Sequence, residues 1–444
     1  MEVIIAGYNK TALDNLNPEI ISASYARTSR DPRPIPEIRE DAKLDIEKAR
    51  KSNKSIVFEM GHASIAEHVV FNIDIIGVSR FLVEEIESHR LASYTEKSQR
   101  YVLFDGDYTI PDELNVRDKP IFISLVEQQN EFYKYSYPIL LEYFKKENPE
   151  KYEKDPKTVE GWAKEDARYI IPMATQTQLG MTISARNLEL MIRRLRACPY
   201  WEHIELAYKL YDKVSAITPS LFPYITPTEI EYKNKERLFN SKFRYFTMNI
   251  MTKDVNLINN EELKYNRLHE FLEGGNTEKE IILNSLKNMK VYDSAPREFE
   301  VVDFEFLLRM SSSCFAQLKR HRMMTILPKP YSIYEGGVIP ESFIKTGLKE
   351  EFTMIINKAT KFSYRNEKIF PYIATNAHRR IVYVKINLRE MYHFCRMRMD
   401  GHAQWEIRGI ANEMHRQASE VCPIGMILAC GKDKFEEVYN SVFK

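Results

Sequence analysis

Residues 386–423 read INLREMYHFCRMRMDGHAQWEIRGIANEMHRQASEVCP, and residues 183–219 read ISARNLELMIRRLRACPYWEHIELAYKLYDKVSAITP. Arg186 answers to Arg389, and Trp201-Glu202 answers to Trp405-Glu406. In the later stretch Ile407, Ile410, Ala411, Met414, Ala418 and Val421 fall on one helical face, the pattern of a helix laid on a core. Two earlier pieces also recur, in the same order. FNIDI alternates Phe71, Ile73 and Ile75 with Asn72 and Asp74, as a half-buried strand does, and VDFEF repeats this with Val302, Phe304 and Phe306 against Asp303 and Glu305. Each is followed by a helix-like segment, VSRFLVEEIESHR and LLRMSSSCFAQLKRHR, ending in His89-Arg90 and His321-Arg322, 232 positions apart. The expectation is a tandem duplication of one α+β unit of roughly 200 residues. Each unit should hold a mostly antiparallel sheet flanked by helices, over 1–228 and 235–444. The boundary is placed near Pro223–Lys235, where FPYITPTEIEYKNK becomes proline-bearing and then polar.

Composition narrows the function. The chain has 444 residues, 64 basic and 63 acidic side chains, and a formal net charge of +1. So balanced a charge gives no general attraction to nucleic acid or an anionic membrane, and an anion must be caught by a local cluster. Five scattered cysteines, with no C-x-x-C pair, exclude a disulfide framework or zinc ribbon and point to a reducing cytoplasm. The apolar run in MEVIIAGYNKTALDN is too short for a signal peptide or a membrane span. The histidines of GHASIAEH (61–68) are six apart, unlike the i, i+4 pair that shares a metal, so no metal site is expected there. Neither a nucleophile elbow nor a phosphate loop occurs. What remains is SHRLASYTEKSQRY (88–101), with the arginine-bearing ends of the other repeated segments. Guanidinium forks hold phosphate and carboxylate, while Ser, Gln and Glu read a ring and a sugar.

These residues resemble the flavin-dependent thymidylate synthases (ThyX), whose signature is R-H-R-x-x-S-x-N-E-x-S-x-R-Y. SHRLASYTEKSQRY departs from it only at Ser88 and Thr95. GHASIAEHVVF resembles the family's G-H-x-[ST]-x-x-E-H segment, and NLREMYHFCRMRMDGHAQWEIR resembles its last helix pair. The resemblance implies methylation of dUMP with methylenetetrahydrofolate as carbon donor, FAD as cofactor and NADPH as reductant. It implies dUMP binding by Gln317, Arg320, Glu96, Lys97, Ser98, Gln99, Arg100, Arg168 and Arg398. FAD falls to Ser64, Glu96, Arg320, His321, Arg322, Asn387, Arg389 and His393. Arg398 would face the uracil, and His62 would stand beside the flavin and folate as the second catalytic position.

The two copies match the family unequally. The first keeps Glu96, Ser98, Arg100 and Arg168 but has Ser88 for the leading arginine, Glu85 for glutamine, and an ambiguous choice of Arg194 or Arg196 at the uracil-facing position. The second keeps Gln317, Arg320-His321-Arg322, Asn387, Arg389, His393 and Arg398. It has Pro328, Pro330 and Ser332 where Glu, Ser and Arg belong, and Asp293 for the histidine. Proline supplies neither carboxylate nor backbone N–H. The losses are complementary, because family sites lie between subunits of a homotetramer. The expectation is one composite site and one abandoned site per chain, in a homodimer standing for the tetramer. Two other readings compete: a non-catalytic nucleotide- or flavin-binding paralogue, and flavin-dependent one-carbon transfer to another pyrimidine.

Overall fold

Strands β1 (Glu2–Tyr8), β2 (Val70–Ser79), β3 (Ala92–Glu96) and β4 (Gln176–Ser184) form an antiparallel sheet in the order β1-β2-β4-β3. Strands β5 (Val255–Leu257), β6 (Asp303–Ser311), β7 (Thr325–Pro328) and β8 (Arg379–Asn387) form another, in the order β5-β6-β8-β7. The same order twice is what a tandem duplication of an α+β unit produces. The computed structural model describes residues 1–12, 17–100, 102–104, 106–232, 253–259 and 278–444. The boundary residue Lys235 and the signature residue Tyr101 lie outside the described residues. No helix among the described residues is long and apolar enough to cross a membrane.

Alternation drives each sheet onto its helices. Phe71, Ile73 and Ile75 of β2 and Leu179, Met181 and Ile183 of β4 are buried in one cluster. Leu188, Met191, Ile192 and Leu195 of helix Ala185–Arg196 and Leu206 and Leu210 of helix Trp201–Ser215 complete it. The other core repeats this with Phe304, Phe306, Leu308, Val384 and Ile386 beneath helices Leu388–Arg398 and Trp405–Val421. Each fully buried side chain of this kind contributes about 1.5–3 kcal/mol relative to its exposed state.

Sheet registers make the two copies comparable residue by residue. Glu96 pairs with Leu179 on β4, and Pro328 takes the corresponding place opposite Val382 on β8. β2 carries one residue more than β6, and the surplus is Gly77, at a register shift between Ile76 and Val78. Its φ of +69° is a conformation that favours glycine, so this residue permits the bulge. One sequence expectation needs correction. LLRMS, read as the start of a helix, is the end of β6, and the helix is Ser312–Leu318. Leu307 packs with Ile381 on the face opposite Leu308, so both faces are apolar there and the alternation is lost.

Two compact units result, and each takes a short segment from the other sequence copy. The first comprises Met1–Lys164, Ile171–Leu238 and Lys361–Ala374; the second comprises Glu165–Ile170, Phe239–Thr360 and Thr375–Lys444. A carboxylate receives the incoming segment in each. In the first unit, Glu202 accepts from the Ser79 amide at 2.7 Å, the Ser79 hydroxyl at 2.6 Å and the Tyr372 hydroxyl at 3.0 Å. In the second, Glu406 accepts from the Ser311 amide at 2.8 Å, the Ser311 hydroxyl, and the Tyr169 hydroxyl at 2.5 Å. Ser79 and Ser311 are also the N-caps of the helices that follow their strands. Burial pushes both carboxyls up from the usual range, and the serine donors pull them back. Replacing Tyr169 by Phe leaves Glu406 one donor short and should cost about 1–3 kcal/mol. The expected result is a lower urea midpoint with unchanged slope, and an unmoved midpoint would contradict the contact.

Candidate active site

In the first unit the signature segment leaves the sheet edge. The Lys97 amide still donates to the Gln178 carbonyl at 3.0 Å, continuing the β3–β4 ladder, and the Arg100 amide donates to the Ser98 hydroxyl at 3.2 Å. A cavity of about 160 Å³ opens here, with Lys97, Ser98, Gln99, Gly77 and Gln178 in its wall. Glu96 is held by Arg80 at 2.7 Å, and both side chains are almost fully buried. Sequence reasoning passed over Arg80, whose only signal is its place directly after the capping Ser79. His62 precedes the 3₁₀ turn Ala63–His68, and both His62 and Ser64 are exposed. Arg196 donates to the Ile225 carbonyl at 3.0 Å and lies over the Tyr208 ring, whereas the charge of Arg194 is felt at His89.

The second unit gathers most of the remaining candidates. Arg168 lies buried in the turn Arg168–Ile170 and belongs to this unit, although it comes from the first sequence copy. Asn376 donates to its carbonyl at 2.9 Å, and the Ala377 amide donates to the carbonyl of Tyr169 at 2.8 Å. The Tyr169 ring stacks on Trp405, with centroids 5.7 Å apart. A directed chain of donors then runs outward from Glu406. Tyr169 gives its proton to Glu406 and so accepts from Gln404 Nε2 at 2.8 Å; Gln404 Oε1 accepts from Gln317 Nε2 at 3.3 Å. Each amide is oriented by the one before it, so Gln317 spends Nε2 in the chain and keeps Oε1 as an acceptor. That acceptor is buried and has no hydrogen-bond partner among the described residues.

The other retained groups belong to the same unit. Arg320 and Arg322 are exposed on either side of the buried His321. Arg398, half-buried, donates through Nη2 to the Gln317 carbonyl at 3.0 Å and through Nε to His321 Nε2 at 2.9 Å. Asn387 caps helix Leu388–Arg398 by accepting from the Glu390 amide at 2.9 Å. Arg389 is engaged structurally, donating to the Ala295 carbonyl at 2.9 Å and to Glu300 at 2.7 Å. His393 is exposed, with its ring 5.6 Å from that of His321. The fold also adds a cluster that sequence spacing did not mark: ligand-type atoms of His321, Glu390 and His393 lie within 4.8 Å of one another. Burial pushes the thiols of Cys314 and Cys395 above their ordinary range, so neither supplies a thiolate nucleophile at neutral pH.

Comparison with known proteins bears on both copies. A family model described as thymidylate synthase complementing protein matches residues 12–220 and 248–424. A flavin-dependent thymidylate synthase of Clostridium tetani is 34% identical over 217 residues, covering 48% of this chain and 84% of that protein. A UPF0159 protein of Thermoplasma acidophilum is 25% identical over 435 residues, covering 83% of this chain and 86% of its own. Among solved structures, thymidylate synthase X of Helicobacter pylori with FAD and dUMP covers 52% of this chain and 100% of its own, at 21% identity and a TM-score of 0.34.

The turn that carries Arg168 has a titratable anchor. Asp166 accepts from Trp405 Nε1 at 2.8 Å and from the Ser342 hydroxyl at 2.6 Å, and burial pushes its carboxyl up to about 6. A raised carboxyl favours the protonated fold. Its contribution is complete below the ordinary value of about 3.9 and is lost as pH rises through about 6, amounting to about 3 kcal/mol at most. Asp166→Asn should therefore flatten the fall of the unfolding midpoint between about pH 4 and pH 7. Parallel pH profiles for variant and wild type would contradict this.

Proposed function

Because this chain belongs to the family of thymidylate synthase complementing proteins, the flavin-dependent thymidylate synthases, we propose that it methylates dUMP to dTMP. The carbon comes from methylenetetrahydrofolate, and bound FAD, reduced by NAD(P)H, supplies the hydride. The copies spanning 1–228 and 235–444 together provide one composite site per chain. The observation that carries the reading is complementary retention at matched register. Pro328 stands where the other copy has Glu96, while Gln317, Arg320, His321, Arg322 and Arg398 are all present in the copy that lost the carboxylate. The membership of Arg168 in the same compact unit as Gln317 and Arg398 supports the pooling of residues from both copies.

Each side chain has a defined task in this reading. The unpartnered acceptor of Gln317 suits a uracil N–H, and Arg398 stabilises negative charge developing on the ring. Arg100 and Arg168 hold the phosphate, and Glu96, Lys97, Ser98 and Gln99 line the nucleotide. The FAD phosphates and ring fall to Arg320, Arg322, His321, His393, Asn387 and Ser64. The exposed guanidiniums of Arg320 and Arg322 fit that anionic group, whereas Arg389, tied to Glu300, serves it by shaping the wall. His62 stands at the flavin and folate side. The buried thiols fit a reaction that needs no protein nucleophile. Two chains, with four copies between them, form a homodimer in the cytoplasm.

The direct test is dUMP-dependent dTMP formation by the purified protein, read alongside tritium release from labelled dUMP. Arg398→Ala and Arg100→Ala should each lower turnover by about 10²-fold or more. Ser88→Ala and Ser332→Ala should stay near wild type. A severe loss at Ser88 would place the site on the wrong copy, and absence of dTMP with flavin, folate and reductant all supplied would overturn the reading.

A further inference from the structure

Arg398 is gripped at two points, and the second has a chemical direction. Its Nε donates to His321 Nε2 at 2.9 Å, while its Nη2 donates to the Gln317 carbonyl at 3.0 Å. A guanidinium N–H only donates, so His321 Nε2 must carry a lone pair. The ring proton then sits on Nδ1, which faces Glu390 Oε1 at 3.2 Å. His321 is buried, and this burial, with the charges of Arg398 and His393, holds it well below the ordinary imidazole range, in keeping with a neutral ring. Glu390 lies three residues past the N-cap Asn387, in the first turn, where the helix dipole favours a carboxylate. Burial pushes the Glu390 carboxyl up from its ordinary range, and the neighbouring His393 and Arg389 pull it back.

The same geometry argues against a metal in this cluster. A cation at Nδ1 would need that nitrogen's lone pair and would send the ring proton to Nε2, against the Arg398 Nε–H. The first copy provides an internal comparison. There the place of Glu390 is taken by Asn187, which donates to the Ser184 hydroxyl at 2.9 Å. His89, the counterpart of His321, instead turns Nδ1 to the backbone carbonyls of Glu85 and Ile86, at 3.2 and 3.3 Å. The carboxylate is therefore found only in the copy that keeps the full Arg-His-Arg and Arg398.

We infer that Glu390 is a positioning residue for Arg398: by accepting the Nδ1 proton of His321, it fixes the tautomer whose Nε2 holds the guanidinium against Gln317. Its effect on catalysis rests on the proposed reaction, but its effect on the histidine does not. The test uses full-length protein with bound flavin and ¹⁵N-labelled histidine, the His321 signals being assigned by their loss in His321→Asn. Long-range ¹H–¹⁵N spectra should show the proton on Nδ1 in wild type and in Glu390→Gln, whose amide oxygen still accepts. Glu390→Ala should shift it toward Nε2. In the same preparations Glu390→Ala should lower kcat for dTMP formation on the order of 10²-fold at unchanged flavin content, with Glu390→Gln recovering most of it. A wild-type ring protonated on Nε2, or a Glu390→Ala variant unchanged in tautomer and rate, overturns the proposal. A tautomer that responds as described in a protein forming no dTMP supports the positioning and overturns the proposed reaction instead.

Discussion

A carboxylate that must be satisfied away from water organises each unit. Glu406 takes the amide and hydroxyl of Ser311 and the hydroxyl of Tyr169. A single side chain so joins the end of β6, the start of helix Ser312–Leu318, the closing helix Trp405–Val421 and the turn that carries Arg168. Leaving any donor out exposes the others to the cost of an underbonded buried anion. Glu202 does the same with Ser79 and Tyr372. The demand is local, yet it sets which segment each compact unit admits, and so where Arg168 resides.

From Glu406 the hydrogen bonds propagate with one polarity. Tyr169 can give its proton only once, so Gln404 must donate to it, and Gln317 must donate to Gln404. A second directed chain runs from Glu390 through His321 to Arg398 and ends at the backbone of the same Gln317. The two chains meet at one residue: the first fixes the Gln317 amide, and the second brings the Arg398 guanidinium to the Gln317 backbone carbonyl. In the proposed reaction, preorganisation of this kind would spare the site from reorienting dipoles as charge develops on the ring. The first unit keeps the carboxylate and the tyrosine that open the first chain, but Tyr200 and Glu85 stand in place of Gln404 and Gln317, and Asn187 stands in place of Glu390.

Much of this was legible in the sequence, for identifiable reasons. Phe71, Ile73 and Ile75 alternate cleanly because one face of β2 is polar, and the Trp-Glu pair recurs because both closing helices perform the same capping task. The end of β6 was not legible, since Leu307 and Leu308 are buried on opposite faces and mimic a helical apolar run. The Gly77 bulge left only a one-residue slip between the copies. The exchange of Tyr169 and Tyr372 between units leaves no local signature, because each tyrosine sits in a segment that looks like an ordinary connection. Likewise Glu390 gathers with His321 only in three dimensions, and its spacing from Asn387 suggests nothing beyond a helix cap.

The central claim is that two unequal copies make one working site per chain. The most direct measurement is the number of flavins bound per 444-residue chain in protein saturated with FAD and dUMP. The absorbance of the released flavin would be read against protein concentration from amino-acid analysis. The account requires one flavin per chain, lost together with dUMP binding in Arg398→Ala. Two flavins per chain would show that the copy bearing Ser88 and Pro328 still forms a site, and would contradict it.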